Sequence, residues 1–354
     1  MDNDIWRNSE RLRLRQLRDS CDPFSLDEIK FREHFRIPKA LALEFIDELL
    51  PFMIEEDDDL GSIPYYLRVL IALQFFAKGS YQSAVGAHNI CNVSQPTTSR
   101  CINQVSKIID ENIAKKYIKF PVDAASKAAK AIQFQEEFDF PNAIGCIDCV
   151  HITIVAPSDN DSDRPKRLYR CRKNFYSINV EAICDAQLLF LWVNPRFPGS
   201  THDSAIWRVS PVRENLKNSF NSGEHYFLIG DSGYPLEPFL FTPYPEPQSR
   251  AELKYNKLHK KARNSVERAF GVLKAKFRCC LKHRVLHYHP TTAAKIINSC
   301  FTLYNYLKIH GIDMDDVEPI FEEITPEETP TLIPENEYYR TAVLNRNNYS
   351  FSLL

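Results

Sequence analysis

An acidic side chain in an apolar run is costly unless it is paired or binds a cation. Two acids of this chain stand in or beside such runs, and a third stands alone among bases. Asp148 interrupts the stretch Ala143 to Val155, otherwise Ile-, Val- and Cys-rich. Asp231 comes directly after Tyr226-Phe227-Leu228-Ile229-Gly230, where a short buried strand would stop and the chain turn. Glu267 is the lone acid between Lys254 and Arg284, a segment otherwise crowded with Lys and Arg. Around it Val266, Phe270, Leu273 and Phe277 recur at helical spacing, and Glu267 lies beside that apolar stripe, on a face shared with Arg263, Gly271 and Lys274. A carboxylate at a strand end and another at the edge of a helix's buried face can therefore meet in one cleft.

Positioning these acids requires strands feeding a long helix. Ala143 to Val155, Ser177 to Cys184 and Leu188 to Asn194 read as three strands, the last two joined at the turn Asp185-Ala186-Gln187. His202 to Trp207 reads as a helix stopped by Pro211. The Tyr226 strand follows, then a Pro-rich loop at 235–247, then the helix of Glu267. The apolar helix Thr292 to Leu307 closes the core. Between the first two strands, an acidic loop (Asp159, Asp161, Asp163) precedes a basic, Tyr-interleaved run in which Arg167, Arg170 and Lys173 suit a nucleic-acid backbone. Lys260, Lys261, Arg263 and Lys274 supply similar charge on the long helix.

The N-terminal half is helical. Residues 1–24 form a polar, Arg-rich arm. A helical domain spans 25–115, with Ser25 and Glu28 at capping-box spacing and a solvated acidic loop from Glu55 to Asp59. Within it, a short helix Tyr81 to Ala87, a turn, and a second helix Gln95 to Asp110 capped by Ser94 make a helix-turn-helix pattern. Gln95, Thr97, Thr98 and Arg100 would then be exposed tips for phosphates and base edges. Residues 116–140 read as a Lys- and Ala-rich linker, ending at Pro141. The expected second domain is 141–310, and 311–354 reads as an acidic, flexible tail. The fold class reads as α+β: an all-α helix-turn-helix domain, then an α/β domain in which the placing of Asp148 mid-strand, Asp231 after the fourth strand and Glu267 on the following helix resembles the ribonuclease-H-like arrangement.

Composition sets few further limits. The chain has 354 residues, a formal net charge of −2 and ten cysteines. It carries no apolar leader and no membrane-length run, which fits reduced thiols in the nucleus or cytoplasm. Gly230-Asp231-Ser232-Gly233 looks like a trypsin-type nucleophile loop, but the helical first half and basic helix argue against that fold. Cys279-Cys280 followed by His283, His287 and His289 matches no common zinc spacing and reads as packing.

Four motifs together resemble the PIF/Harbinger transposase family and its domesticated nuclease branch. They are Gly145 to His151 around Asp148, His202-Asp203-Ser204-Ala205-Ile206-Trp207, Gly230-Asp231-Ser232-Gly233-Tyr234-Pro235-Leu236, and Val266-Glu267-Arg268-Ala269-Phe270-Gly271-Val272-Leu273-Lys274. The 35 residues between Asp231 and Glu267 fit that arrangement too. The resemblance implies a DDE-type endonuclease in which Asp148, Asp231 and Glu267 are catalytic. With Asp203, these acids would hold Mg2+ or Mn2+, hard ions that prefer carboxylate oxygen. It further implies DNA as substrate and a Myb/SANT-like DNA-binding partner, and it leaves open strand transfer after cleavage and a homo-oligomer; the lack of a membrane-length run gives no membrane role. The competing reading is a catalytically silent DNA-binding or scaffold protein acting with such a partner. The family commonly has Gly after the first acid; Cys149 stands there in this chain.

Overall fold

The computed structural model describes residues 2–55, 63–79, 82, 85, 92–158, 164–312, 318–321 and 337–353. The chain divides into two compact units: Met1–Tyr117 with Ile152–Pro157 and Leu273–Val317, and Ile118–His151 with Ser158–Val272 and Glu318–Leu354. No helix among the described residues is long and apolar enough to cross a membrane.

The first unit is helical. Its helices include α1 (Asp2–Asp19), α2 (Glu28–Phe35), α3 (Lys39–Glu55), α4 (Tyr65–Lys78) and α5 (Gln95–Ile108). Helix α4 is buried all round from Leu67 to Ala77, as a central helix must be. Its buried Arg68 is satisfied by the Ile63 carbonyl at 2.8 Å and Gln104 Oε1 at 3.2 Å. The second helix of the expected helix-turn-helix is present as α5, with Ser94 at its N-cap. The first, Tyr81 to Ala87, lies largely outside the described residues, as do the acidic loops at 56–59 and 159–163. Thr98 departs from expectation: it is buried and donates to the Ser94 carbonyl at 3.2 Å. It stands one turn before Cys101 and Ile102, on the stripe that α5 turns inward.

The second unit is built on a mixed five-stranded sheet. Its strands are β1 (Ala143–Thr153), β2 (Ser177–Cys184), β3 (Phe190–Pro198), β4 (Phe227–Ile229) and β5 (Leu240–Phe241), in the order β3-β2-β1-β4-β5. Strands β2 and β3 run antiparallel; β1 with β4, and β4 with β5, run parallel. Helices α6 (Ala124–Phe138), α7 (Asp203–Arg208) and α8 (Pro211–Asn221) accompany it. They place Ala131, Trp207, Val212 and Leu216 in one cluster with Ile147, Leu228 and Leu240 of the sheet and with Phe239 just before β5. The long helix α9 (Arg250–Lys276) meets β1 and β2: Cys146 Sγ approaches the Ala262 carbonyl at 3.2 Å, and Cys184 Sγ lies 3.7 Å from Ser265 Oγ.

Several sequence expectations change here. The segment 116–140 is no linker, because α6 buries Lys127, Ala131, Phe134 and Phe138 within the second unit. Pro211 starts α8 rather than stopping a helix, since a first-turn Pro loses no helical hydrogen bond. The loop 235–247 contains the two-residue strand β5. The segment Leu273–Val317, including α10 (Pro290–Ile309), belongs to the first unit rather than to the expected 141–310 domain.

The expected flexible tail is also corrected where it is described. Residues Glu337–Ser352 form helix α11. Its Tyr349 packs on Phe140, Phe227, Phe241 and Tyr255. Arg346 donates to the carbonyls of Thr242 and Pro243, each at 3.2 Å. Polar composition hid this helix because its buried positions are Ala342, Arg346 and Ser350, with no large aliphatic among them.

Candidate active site

Strand register brings the first two acids together. Cys146 of β1 pairs with Ile229 of β4 in parallel, and two residues further along each chain lie Asp148 and Asp231. Side chains two apart share a face, so Asp148 projects on the side where Cys146 meets α9. Asp231 is fixed by its own turn: Oδ1 accepts from Gly233 N at 2.8 Å. Asp148 Oδ1 likewise accepts from Cys149 N at 2.8 Å. Each carboxylate keeps its other oxygen for the cleft.

Helix α9 adds the third acid and a cation. Arg263 Nη1 donates to Glu267 Oε1 at 2.7 Å across one helical turn. Its Nη2 lies 3.5 Å from Asp231 Oδ2 and 3.6 Å from Asp148 Oδ2. One guanidinium thus touches all three acids, and the convergence expected from the sequence is present. Arg263, expected to meet DNA, instead faces the carboxylates, because position 263 is one turn from Glu267 on the same helix face.

Asp203, the first residue of α7, accepts from Asn179 Nδ2 at 2.9 Å, and the same amide donates to the Thr201 carbonyl at 2.9 Å. Asn179 of β2 so ties the α7 entrance to the sheet. Burial raises the Asp203 carboxyl above its usual range, Asn179 opposes this, and the charge of Asp231 adds to it. Asp148 is also pushed well up, first by burial; the charges of Asp231 and Asp203 reinforce this and Arg263 counters it. Mutually repelling buried acids of this kind gain from a shared cation.

Three residues the sequence reading did not single out complete the surroundings. Arg172 contacts His202 Nδ1, and its charge favours ionised Asp203. It lies in the basic run already noted, so its composition was the available signal. Glu181, fully buried on β2, accepts from Trp192 Nε1 at 2.9 Å and Ser210 Oγ at 3.0 Å. Burial lifts it to about 6, against those hydrogen bonds and with help from the Asp203 charge. Tyr234 is buried with its hydroxyl 3.3 Å from Cys149 Sγ, so the Cys that replaces the family's Gly sits against a Tyr of the Asp231 turn.

Other expected site residues fall elsewhere. Arg167, Arg170, Lys173, Lys260 and Lys261 are exposed in the second unit, with Lys261 donating to the Glu137 carbonyl at 3.0 Å. Gln95, Thr97 and Arg100 are in the first unit; Gln95 and Arg100 are exposed, and Thr97 bonds Ser94 Oγ at 2.9 Å. Lys274 is buried in the first unit and is corrected as a phosphate contact. Asp185 is structural, pairing with Lys130 at 2.7 Å and accepting from Gln187 and Leu189 backbone amides. His151 is packed, bonded to Ser177 Oγ at 3.0 Å and edge-on to Phe175.

The donor set passes a test for a hard divalent ion. Three carboxylate oxygens from a strand, a strand end and a helix already face one positive group, and no sulfur or imidazole competes among these contacts. Comparison with known proteins agrees with this chemistry. Residues 147–305 match the DDE superfamily endonucleases. The chain is 33% identical to HARBI1 of Homo sapiens, a protein whose name calls it a nuclease, over 83% of each chain. It is 29% identical to HARBI1 of Xenopus laevis, again over 83% of each chain. Protein ALP1-like of Arabidopsis thaliana is 28% identical over 70% of this chain and 61% of its own length. No solved structure matches the chain.

Proposed function

Because this chain belongs to the Harbinger transposase-derived nucleases of the DDE endonuclease superfamily, we propose that it is a divalent-metal-dependent DNA endonuclease that hydrolyses phosphodiester bonds. The observation that carries this reading is the convergence of Asp148, Asp231 and Glu267 on one guanidinium. The sheet order β3-β2-β1-β4-β5, with acids on the central strand, after β4 and on the following long helix, supports a ribonuclease-H-like catalytic domain.

Asp148, Asp231, Glu267 and Asp203 would hold Mg2+ or Mn2+. Bound there, such ions lower the pKa of an attacking water and offset charge on the leaving 3′-oxygen. The chain's own residues do the rest. Asp148, level with Asp231 just past the end of the adjoining strand, would be the central ligand. Asn179 fixes the rotamer of Asp203. The exposed Arg167, Arg170, Lys173, Lys260 and Lys261 hold the phosphate backbone, which gives affinity without sequence choice. Sequence choice falls to Gln95, Thr97 and Arg100 of the helix-turn-helix pattern, or to a Myb/SANT-like partner working with the protein in the nucleus.

Plasmid cleavage in Mg2+ or Mn2+, abolished by chelation, is the expected result. Tight DNA binding without cutting, in either metal and with a Myb/SANT-like partner added, would leave the silent scaffold reading instead.

A further inference from the structure

Helix α10 brings a third cysteine to a pair that its sequence neighbours leave unexplained. Cys279 and Cys280 lie on a 3-10 turn, Arg278–Cys280, and Cys300 is mid-way along α10. Cys279 Sγ is 3.4 Å from Cys300 Sγ and 3.9 Å from Cys280 Sγ, and all three sulfurs lie within 4.8 Å of one another. Each of the three residues is fully buried. His283, His287 and His289, the donors nearest in sequence, are exposed and are not members of the group. The other buried cysteines include Cys146 and Cys184, which meet a carbonyl and a hydroxyl on α9.

We propose that Cys279, Cys280 and Cys300 form a structural thiolate site for a thiophilic d10 ion, Zn2+ in the first instance. Geometry, ligand type and charge agree. With metal–sulfur bonds of about 2.3 Å, sulfurs around one ion sit about 3.8–4.0 Å apart; the Cys279–Cys280 spacing of 3.9 Å matches this, and the Cys279–Cys300 spacing of 3.4 Å widens by about 0.5 Å on binding. Thiolate sulfur selects Zn2+ or Cu+ over the hard ions suited to the carboxylate cleft. Three thiolates around a doubly charged ion leave one negative charge, and Lys274, buried in the same unit and felt electrostatically at Cys280, is of the opposite sign. This gives Lys274 a role that its burial denies it on DNA. Among the described residues no fourth His, Cys, Asp or Glu joins the set. Zn2+ therefore completes its coordination from outside this group, and Cu+ is satisfied by three sulfurs.

The ligands are held before binding. Gly79 is left-handed (φ +59°), and a Cβ added there would meet Cys279 Cα at 2.7 Å, so the end of α4 presses on the backbone carrying the first ligand. Binding replaces up to three thiol protons with the ion and releases them to solvent, so occupancy rises with pH. With the sulfurs buried, the ion enters during folding or through local opening.

The test uses the full chain, purified anaerobically under reductant, loaded separately with Zn2+, Cu+ or Co2+ in excess Mg2+, then desalted. Metal per chain, X-ray absorption at the bound metal, and thiols open to alkylation are measured. The site predicts one equivalent of Zn2+ or Cu+, a sulfur-dominated shell, a sulfur-to-Co2+ charge-transfer band and protection of three thiols from the slow alkylation that local opening otherwise allows. Cys300→Ser and, as a second variant that keeps α10 intact, Cys280→Ser must each lose the ion while circular dichroism stays native. Wild type that retains no ion, a shell without sulfur, loading undiminished in both folded variants, or a Cys279–Cys300 disulfide under anaerobic purification would overturn it.

Discussion

Arg263 and Glu267 form a 2.7 Å ion pair one turn apart on α9, and the same guanidinium faces Asp148 and Asp231. The oxygens it contacts are those a divalent ion would take, so guanidinium and ion compete for them. Arg263→Gln is therefore expected to tighten Mg2+ or Mn2+ binding severalfold. In chelator it should cost about 1–2 kcal/mol, less than a fully buried pair because the arginine side chain is 21% exposed. Thermal unfolding with and without Mg2+ measures both effects. The metal-induced rise in Tm should be larger in the variant than in wild type; equal rises would contradict competition.

Asn179 makes a separate demand. Its amide holds Asp203 and the Thr201 carbonyl at once. Asn179→Ala frees the carboxylate to rotate and should reduce metal affinity or cleavage about 10- to 100-fold. Asn179→Asp keeps the size but sets a second charge against Asp203, and should be worse than alanine at neutral pH. Calorimetric Mn2+ titration of the two variants checks the order.

His259 predicts a pH dependence of stability. Buried against the Phe241 carbonyl, its imidazole is lowered from 6.5 to about 4, chiefly by burial. The unfolded chain then binds the proton more readily, so this stabilisation is full above about pH 6.5 and fades as pH falls towards 4. A shift of that size corresponds to about 3 kcal/mol. Urea unfolding from pH 7 to 4 should show a flatter profile in His259→Gln than in wild type. Parallel profiles would show that the imidazole titrates equally in both states.

Much of the site was legible in sequence because its signals are local. Asp148 stands out in an apolar strand, and Ser177–Cys184 matched β2 residue for residue. The helix carrying Glu267 showed its stripe directly. What was hidden depends on contacts far apart in the chain. Nothing near Asn179 shows that its amide reaches Asp203, and nothing near Cys279 points to Cys300. Position 263 sits four before Glu267, yet among so many bases it looked like one more phosphate contact. Thr98 misled because a helix-start Thr reads as a polar tip unless the stripe is followed back one turn.

Helix α11 was missed for a related reason, and it carries its own prediction. Tyr349 lies within 6 Å, centroid to centroid, of Phe140, Phe227 and Phe241, and its hydroxyl donates to the Pro141 carbonyl at 3.0 Å. Tyr349→Ala should destabilise the second unit by about 2–4 kcal/mol through lost aromatic packing. Chemical denaturation checks this, and an unchanged midpoint would mean that α11 adds nothing to the sheet it packs on.

The central claim is that Asp148, Asp231 and Glu267 act together on a DNA phosphodiester. The most direct measurement is single-turnover cleavage of one duplex by wild type, Asp148→Asn and Glu267→Gln in Mg2+ and Mn2+, with DNA binding followed in the same samples. Cutting by wild type, with at least a hundredfold loss in each variant and unchanged binding, is the predicted result; removing a cooperating catalytic group typically costs about that much or more. Wild-type and variant proteins that cut at the same rate would contradict the claim.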